Sequence, residues 1–511
     1  MRPGTVHVFE NHDTAFYRWR ELGARDRILV HVDAHHDAWA LNKFSSVTIA
    51  NFITPALQEG FVREVVWVVP DASFSNPDNR HALLRHLRKL AKQHGGAKVI
   101  LNEAHAQTFL GRAPFRVCTR WSLPRFSEPV LLDIDTDYLV IPQVSFATGD
   151  DYAPLPWCWP EELLASLSDA GIEAEHATIA YSVEGGFTPL FWKYLGDELS
   201  DRLKGESSRV AGFEAMRHAV GAVLQGEVDL TMKSYKAAEI SLPQHAAPHF
   251  HKALLRLRLG EINEAKNDYR RAVELDPSYL TAYRNASIVL VNRRDPAAEE
   301  ELRDALLLDP QDAAAFYGMA RTAVLARRWQ EARTLLEKAI DEEPELMDAH
   351  RLMGEVQEHL GNNGAALTAY DESLRLALAG KRPLLDTGIV DGEHTPVLDP
   401  EHGATQVASA RLLARAGRLN DAAAAYQIAF ASKYEGISPR LGFACVLLRQ
   451  KRFALAIVQL GFAVRALGTD FKWLWRRASR RSRRTGRPWR YAEFSVKVRS
   501  ERPVVAGAST N

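Results

Sequence analysis

The chain has 511 residues, which is too long for one ordinary hydrophobic core, so two or three domains are expected. Lysine plus arginine equal aspartate plus glutamate at 64 each, so the bulk charge selects no nucleic acid or acidic partner. No stretch approaches the roughly 20 apolar residues that cross a bilayer, and the first residues lack the apolar segment of a secretory signal. The three cysteines, Cys118, Cys158 and Cys445, form no disulfide or zinc pattern, which favours a reducing compartment and a cytoplasmic location.

Residues 1–205 alternate short apolar runs with helical patterns, which predicts an α/β fold with a mostly parallel sheet. The predicted strands are 5–10, 27–33, 64–70, 97–101, 129–135 and 177–184. An amphipathic pattern at residues 81–96 ends in two glycines and predicts a helix between the third and fourth strands.

Metal-binding side chains follow several of these strands. They are His12 in FENHD, Asp33, His35 and Asp37 in HVDAHHD, Asp133 and Asp135 in LLDIDTD, and Glu184 in YSVEGG. Because parallel strands end at one edge of a sheet, these side chains should meet in space. Carboxylates with a minority of imidazoles suit Mn²⁺ better than Fe²⁺ or Zn²⁺. The pattern predicts a binuclear site for two divalent cations.

Some residues near this site also have ordinary structural explanations. An aspartate or histidine at a strand end commonly caps a helix, and that alternative stays open for His12 and Asp137. His31 and His36 flank the ligands and are expected to support them rather than to bind metal. Asn51 is a candidate polar group of the substrate pocket.

From residue 206 the sequence becomes alanine-rich and periodic. Pro243, Pro277, Pro310 and Pro344 are separated by 34, 33 and 34 residues, and small residues recur at fixed positions before them. Small residues let paired helices approach, and the proline ends the second helix of a pair. This pattern resembles the tetratricopeptide repeat, whose unit has about 34 residues.

The resemblance implies an all-α superhelix of about seven units over residues 206–468. An irregular insert at 378–403 interrupts it and is either a linker or a loop that reaches over the groove. Such an array presents a concave groove, so a peptide or protein partner is expected.

Residues 469–511 form a third segment with its own composition. Between residues 471 and 491 there are nine basic residues and no acidic residue, together with Trp473, Trp475 and Trp489. A basic, tryptophan-rich helix can bind an anionic surface, such as a membrane or a nucleic acid. The alternative is a helix that caps the last repeat with its tryptophans.

The first 200 residues resemble the arginase-like ureohydrolases. The run DAHHD resembles the D-x-H-x-D run of that family, DIDTD resembles its second aspartate run, and SVEGG follows where the family has its guanidinium-facing glutamate. The arrangement is closer still to the UPF0489 family, some bacterial members of which are peptide arginases. The resemblance implies an arginase-like domain that converts arginine residues in a peptide or protein to ornithine and urea.

The same resemblance implies a role for each site residue. One Mn²⁺ would be held by His12, Asp33, Asp37 and Asp133, and the other by Asp33, His35, Asp133 and Asp135. Asp33 and Asp133 would therefore bridge the two cations. Glu184 would hold the guanidinium group, with Asn51 as a second substrate-binding residue, and Asp37 counts with Glu184 as catalytic.

The sequence departs from the enzymes that act on free arginine. Those enzymes have a histidine proton shuttle after the first aspartate run, whereas residues 40–52 contain no histidine, which leaves His36 as a candidate. The expected substrate is therefore an arginine held in a chain. The alternatives are an amidohydrolase or deacetylase of another C–N bond, or a catalytically silent repeat scaffold.

Overall fold

A computed structural model describes residues 3–41, 47–144, 155–183, 187–280, 283, 298–379, 400–431 and 436–464. Glu184, most of the predicted insert and the predicted basic tail lie outside these ranges. The chain divides into two compact units, whose described residues run from 3 to 283 and from 298 to 464.

The first unit contains an eight-stranded sheet in the order β1-β8-β7-β2-β3-β6-β5-β4. Its strands are β1 (Thr5–Phe9), β2 (Arg27–Val32), β3 (Val62–Val68), β4 (Ile100–Leu101), β5 (His105–Leu110), β6 (Ala113–Cys118), β7 (Val130–Asp135) and β8 (Ala174–Ala180). All neighbours from β1 to β6 pair in parallel, and only β5 and β4 join antiparallel at one edge. The predicted α/β domain with a mostly parallel sheet is present.

The antiparallel edge differs from the prediction. The predicted strand 97–101 is reduced to Ile100 and Leu101, and the hairpin of β5 and β6 was not predicted. These two strands alternate buried and exposed side chains instead of presenting a continuous apolar run. Gly111, with a φ of 63°, forms their turn. Such half-buried strands leave a weaker sequence signal than strands covered on both faces.

Among the described residues, six α-helices accompany the sheet. They are α1 (Thr14–Glu21), α2 (Ile53–Gln58), α3 (Ala72–Ser75), α4 (Pro77–Gln93), α5 (Pro160–Asp169) and α6 (Tyr194–Lys204). Apolar side chains of α1, α2 and α4, including Trp19, Ile53 and Leu87, share a core with Trp67 of β3. The predicted helix is α4, and it begins earlier than expected because the Asn76 side chain accepts from Asn79 N at 2.9 Å.

The predicted repeats form consecutive helix pairs. The first unit ends with α7 (Val210–Gln225), α8 (Val228–Ser241), α9 (Ala247–Leu259) and α10 (Ile262–Leu275). The second unit contains α11 (Ala298–Leu308), α12 (Ala313–Leu325), α13 (Trp329–Glu342), α14 (Met347–His359), α15 (Asn363–Leu378), α16 (Pro400–Arg415), α17 (Leu419–Ala431) and α18 (Ile437–Arg449). Residues 400–403, which the sequence assigned to the insert, are the first turn of α16. Within the described ranges, no helix is both long and apolar enough to cross a membrane.

Candidate metal centre

Four neighbouring parallel strands bring the predicted ligands to one edge of the sheet. Strands β1, β8, β7 and β2 lie side by side. His12 follows β1, Asp33 follows β2, Asp135 ends β7 and Ser182 follows β8. All four side chains are buried. The strand order therefore brings together residues that are far apart in sequence, at the edge where open α/β sheets place their sites.

His12 lies among four carboxylates. Its Nε2 lies 2.8 Å from Asp133 Oδ2. Its Nδ1 lies 3.0 Å from Asp135 Oδ2, 3.2 Å from Asp33 Oδ2 and 3.4 Å from Asp37 Oδ2. One imidazole nitrogen and three carboxylate oxygens thus converge on one small region.

A second group forms around His35. Its Nδ1 lies 2.8 Å from Asp137 Oδ2 and 3.4 Å from Asp33 Oδ1. The backbone N of His35 also donates to Asp33 Oδ1 at 2.6 Å. Asp33 therefore presents Oδ2 to the group around His12 and Oδ1 to the group around His35, so its carboxylate is common to both.

The structure places Asp133 differently from the bridging position that the resemblance implied. Its Oδ2 lies 2.8 Å from His12 Nε2 and 2.8 Å from His31 Nδ1, and its Oδ1 accepts from the Thr178 hydroxyl. Asp133 pairs with His31 and Thr178 in the sheet register, so it lies one pleat deeper than Asp135. It lies behind His12 and orients the imidazole, while Asp135 faces His12 Nδ1.

The remaining predicted residues have separate outcomes. Asp37 has a φ of 43°, and Ile53 N donates to its carbonyl at 3.1 Å, so a tight turn brings the Asp37 carboxylate back to His12. Asn51 accepts from Thr48 N at 2.9 Å with Oδ1, which is a turn contact beside the cleft. Glu184 lies outside the described residues, two positions after Ser182.

The pKa values of the buried cluster are strongly displaced. Burial alone would lower the pKa of His12 and His35, but the neighbouring carboxylates raise both well above the usual value. Burial and repulsion from Asp33 raise the pKa of Asp37 to about 6, and burial with nearby carboxylates raises the pKa of Asp137 well above its usual value. Asp37 and Asp137 are therefore the two carboxylates that additional positive charge in the cluster would favour in the ionised form.

Several buried atoms of this cluster fit metal ligands. Among the described residues, His12 Nδ1, Asp33 Oδ2 and Asp137 Oδ2 are buried and have no partner with hydrogen-bond geometry, although each lies 2.8–3.4 Å from a donor or acceptor atom. Buried polar atoms of this kind normally have partners. The groups His12–Asp33–Asp135 and Asp33–His35–Asp137 each place their ligand atoms within 4.8 Å of one another. The residues present therefore fit two cations that share Asp33.

A cleft of about 140 Å³ opens onto these ligands. Its wall is formed by His36, Trp39, His86 and Phe187. The ring of His36 packs against Trp39 and His86 at centroid distances of 4.4 and 4.7 Å. Its Nδ1 accepts from Ala38 N, and burial keeps its pKa well below the usual value. Two histidines, His36 and His86, therefore line the cleft beside the candidate site.

Sequence reasoning left Asp137 open between a residue that orients a ligand and a cap, and it missed Ser182 and His86. Asp137 continues the alternation of Asp133 and Asp135, so the spacing of two held a signal. Ser182 donates to Asp135 Oδ2 at 2.7 Å. A single serine carries no such pattern. His86 lies on α4 within an ordinary amphipathic sequence, and only the packing of α4 against the sheet brings it to the cleft.

A second cluster of histidine and carboxylate side chains in the first unit contacts a lysine. Glu239, His249 and Asp268 could in principle hold a cation. Lys252 Nζ, however, bonds to Glu239 and lies 3.1 Å from Asp268 Oδ1. The lysine ammonium neutralises these carboxylates, so this cluster is an ion-pair network between repeat helices.

Comparisons with known proteins identify the repeats. Tetratricopeptide repeat models match residues 246–279 and 317–378, which confirms the predicted repeat type. No curated protein sequence matches the chain.

Solved structures that match include one described as a functional characterisation of Pseudomonas aeruginosa pilF. It is 20% identical, with 43% of this chain and 91% of that chain covered and a TM-score of 0.31. Another is YrrB, described as a tetratricopeptide protein with an unusual peptide-binding site. It is 18% identical, with 39% and 91% covered and a TM-score of 0.29. A MamA structure from Desulfovibrio magneticus RS-1 is 16% identical, with 34% and 98% covered and a TM-score of 0.20.

Proposed function

We propose that the first unit is a binuclear metal-dependent hydrolase that resembles peptide arginases and converts arginine residues of a peptide or protein to ornithine, with release of urea. The observation that carries this proposal is the position of Asp33. Its two oxygens face two separate groups of ligands, one around His12 and one around His35. A shared carboxylate of this kind is what two adjacent cations require.

The geometry supports a revised set of ligands. His12 Nδ1, Asp33, Asp37 and Asp135 would hold one cation. Asp33, His35 and Asp137 would hold the other. Six ligands with four carboxylates and two imidazoles favour Mn²⁺. Asp133 would act through His12, because it holds Nε2 and so directs Nδ1 toward the first cation.

The proposed chemistry is hydrolysis of the guanidinium group. Two divalent cations held by these residues would supply hydroxide near neutral pH. The hydroxide oxygen would bond to the guanidinium carbon, the bond from that carbon to Nε would break, and the hydroxide proton would pass to Nε, which gives urea and the ornithine amine. Ser182 holds Asp135 in place. Glu184 would accept hydrogen bonds from the guanidinium nitrogens, as the resemblance implies.

The tetratricopeptide repeats support a substrate that is part of a chain. Repeats of this kind bind peptides and proteins in their groove, and YrrB, a repeat protein, is described as having a peptide-binding site. We assign the repeats the recruitment of the arginine-containing substrate. The charge balance of the whole chain gives no support to a nucleic-acid partner.

The test is to load the full chain with Mn²⁺, determine metal per chain, and incubate it with an arginine-containing peptide and, separately, with free arginine. We expect two Mn²⁺ per chain, urea release from the peptide, and conversion of arginine to ornithine by mass spectrometry. Asp33→Asn should lose both the metal and the activity. Asp26→Asn, at an exposed aspartate of the same domain, is the matched control and should change neither.

Each other outcome points to a different function. Two Mn²⁺ per chain without urea would refute the arginine substrate and direct the search to another C–N bond, such as an acyl-lysine amide. A chain that binds no Mn²⁺, Fe²⁺ or Zn²⁺ would leave a repeat scaffold. Unfolding of Asp33→Asn is checked by circular dichroism, and His35→Asn then serves as the second ligand variant.

A further inference from the structure

The segment between β8 and α6, of which the structure describes residues 181–183 and 187–193, contacts the candidate metal centre through Ser182 and Phe187. The Ser182 hydroxyl donates to Asp135 Oδ2 at 2.7 Å, and the Phe187 ring packs edge-on against His35 at 5.2 Å. Phe187 N and Thr188 N both donate to Ser182 O, at 3.1 and 2.9 Å. These two hydrogen bonds hold Ser182 close to Phe187. The segment therefore contacts two proposed ligands, Asp135 through Ser182 and His35 through Phe187.

The other end of the segment is fixed by Lys193, whose side chain is only 1% exposed. Its Nζ lies 3.7 Å from the ring centroid of Tyr181 and 5.0 Å from that of Tyr279. It also forms an ion pair with Asp276 Oδ2 at 2.8 Å. Tyr181 immediately precedes Ser182, so the ammonium contacts both ends of the segment.

Asp276 and Tyr279 belong to the repeats, at the end of α10 and just after it. Burial would raise the pKa of Asp276, but Lys193 and the hydrogen bond from Ser278 keep it lowered, so the carboxylate is ionised beside the ammonium. A buried ammonium without its carboxylate would be strongly unfavourable, which holds this contact in one geometry.

A second contact between the segment and the repeats lies beside the first. The Phe191 ring packs on His251 of α9 at a centroid distance of 4.1 Å. Tyr194, the first residue of α6, packs on the same histidine at 5.6 Å. His251 is buried, and burial lowers its pKa to about 3, so it packs as a neutral ring. The second repeat, which is the pair α9 and α10, thus contacts the segment through α9 as well as through the end of α10.

We propose that Lys193 and Asp276 are positioning residues of the metal centre, through which the second repeat holds residues 181–183 and 187–193 against Asp135 and His35. The inference rests on the proposed function, because it names what keeps that site assembled. The repeats are then part of the site's framework in addition to recruiting substrate. Removing the ion pair loosens Ser182 and Phe187 and so weakens the hold of Asp135 and His35 on the metal.

The experiment compares the full-length variants Asp276→Asn and Asp309→Asn. Asp309 is the matched control because it occupies the corresponding position at the end of α11 and accepts from Gln311 N as Asp276 accepts from Ser278 N. We expect Asp276→Asn to lower the Mn²⁺ affinity, and by no more than the roughly 10- to 100-fold that follows loss of a direct hydrogen-bond partner of a metal ligand, because Asp276 acts through Lys193. Its kcat for urea release should fall while KM for a short arginine peptide changes little. Asp309→Asn should behave as the unchanged chain does.

Hydrogen exchange of residues 181–193 separates this inference from the proposed function. Faster exchange there in Asp276→Asn, with the rest of the sheet unchanged, supports the positioning role even if the unchanged chain releases no urea. Equal Mn²⁺ affinity and equal exchange in the two variants would overturn it. If Asp276→Asn is too unstable, the double variant Lys193→Met with Asp276→Leu removes the charges together, and unchanged exchange in it would also overturn the role.

Discussion

Asp133 and Asp135 show how two residues of one strand face acquire different roles. Side chains two residues apart in a strand point to the same side but lie about 6.6 Å apart along it. Asp135 ends β7 and faces His12 Nδ1, whereas Asp133 lies deeper and binds His12 Nε2 and His31. His12 therefore contacts Asp135 through Nδ1 and Asp133 through Nε2.

The substitutions Asp133→Asn and Asp137→Asn test this difference. We expect Asp133→Asn to keep both metal sites with affinity lowered by roughly 10- to 100-fold, because an orienting partner is weakened but no ligand is lost. Asp137→Asn should lose about one metal equivalent, because it removes a ligand of the second cation. Metal titration of the purified variants measures both. The reverse result would restore Asp133 as a bridging ligand.

At the scale of elements, the repeats depend on small residues where helices cross. A Cβ added at Gly354 of α14 would collide with the ring of Tyr370 on α15. A Cβ at Gly364, in the first turn of α15, would meet nothing within 4 Å. Packing therefore requires a glycine at position 354 but not at position 364, although both lie in helices of one repeat.

Alanine substitutions at these glycines should change stability in opposite directions. Gly354→Ala should lower the free energy of unfolding by about 1–3 kcal/mol through overpacking. Gly364→Ala should raise it by up to about 1 kcal/mol, because alanine loses less backbone entropy in a helix. Urea unfolding followed by circular dichroism gives both values. An unchanged midpoint for Gly354→Ala would show that Tyr370 can move aside.

At the scale of the whole molecule, the sheet and the first two repeats form one compact unit. His245, between α8 and α9, lies 3.2 Å from Asp201 Oδ2 and 3.9 Å from Asp197 Oδ2, both on α6. Burial would lower its pKa, but the neighbouring carboxylates of Asp197 and Asp201 raise it from 6.5 to about 9. A charged contact thus joins the repeats to the helix that packs on β1 and β8.

This contact predicts a pH-dependent contribution to stability. Because the folded pKa is raised, the contribution is complete below pH 6.5 and is lost as the pH rises through about 9. His245→Gln should therefore lower stability by at most about 3 kcal/mol near pH 6 and by much less at pH 10. Thermal unfolding of the unchanged chain and the variant across this range measures the difference. A difference independent of pH would mean that His245 acts only by packing.

The sequence by itself determined the main classes of structure. Buried parallel strands appear as continuous apolar runs, and each repeat has its own small residues and proline. Both could therefore be predicted from local sequence, without knowledge of contacts between distant residues. Candidate metal ligands at the strand ends could be predicted for the same reason, since Asp33, His35 and Asp37 lie in one short run of sequence. The order of the repeats, and the prediction of a metal site, follow from such local patterns.

Only the tertiary structure showed how deeply each side chain lies in the sheet and which residues from distant parts of the chain it contacts. Strand register placed Asp133 behind His12 and brought Asp137 to His35. Helix packing brought His86 to the cleft, and the fold of the second repeat brought Asp276 to Lys193. A sequence pattern fixes which face of a strand or helix a residue occupies, but which side chain from elsewhere in the chain meets it there depends on the packing of whole elements.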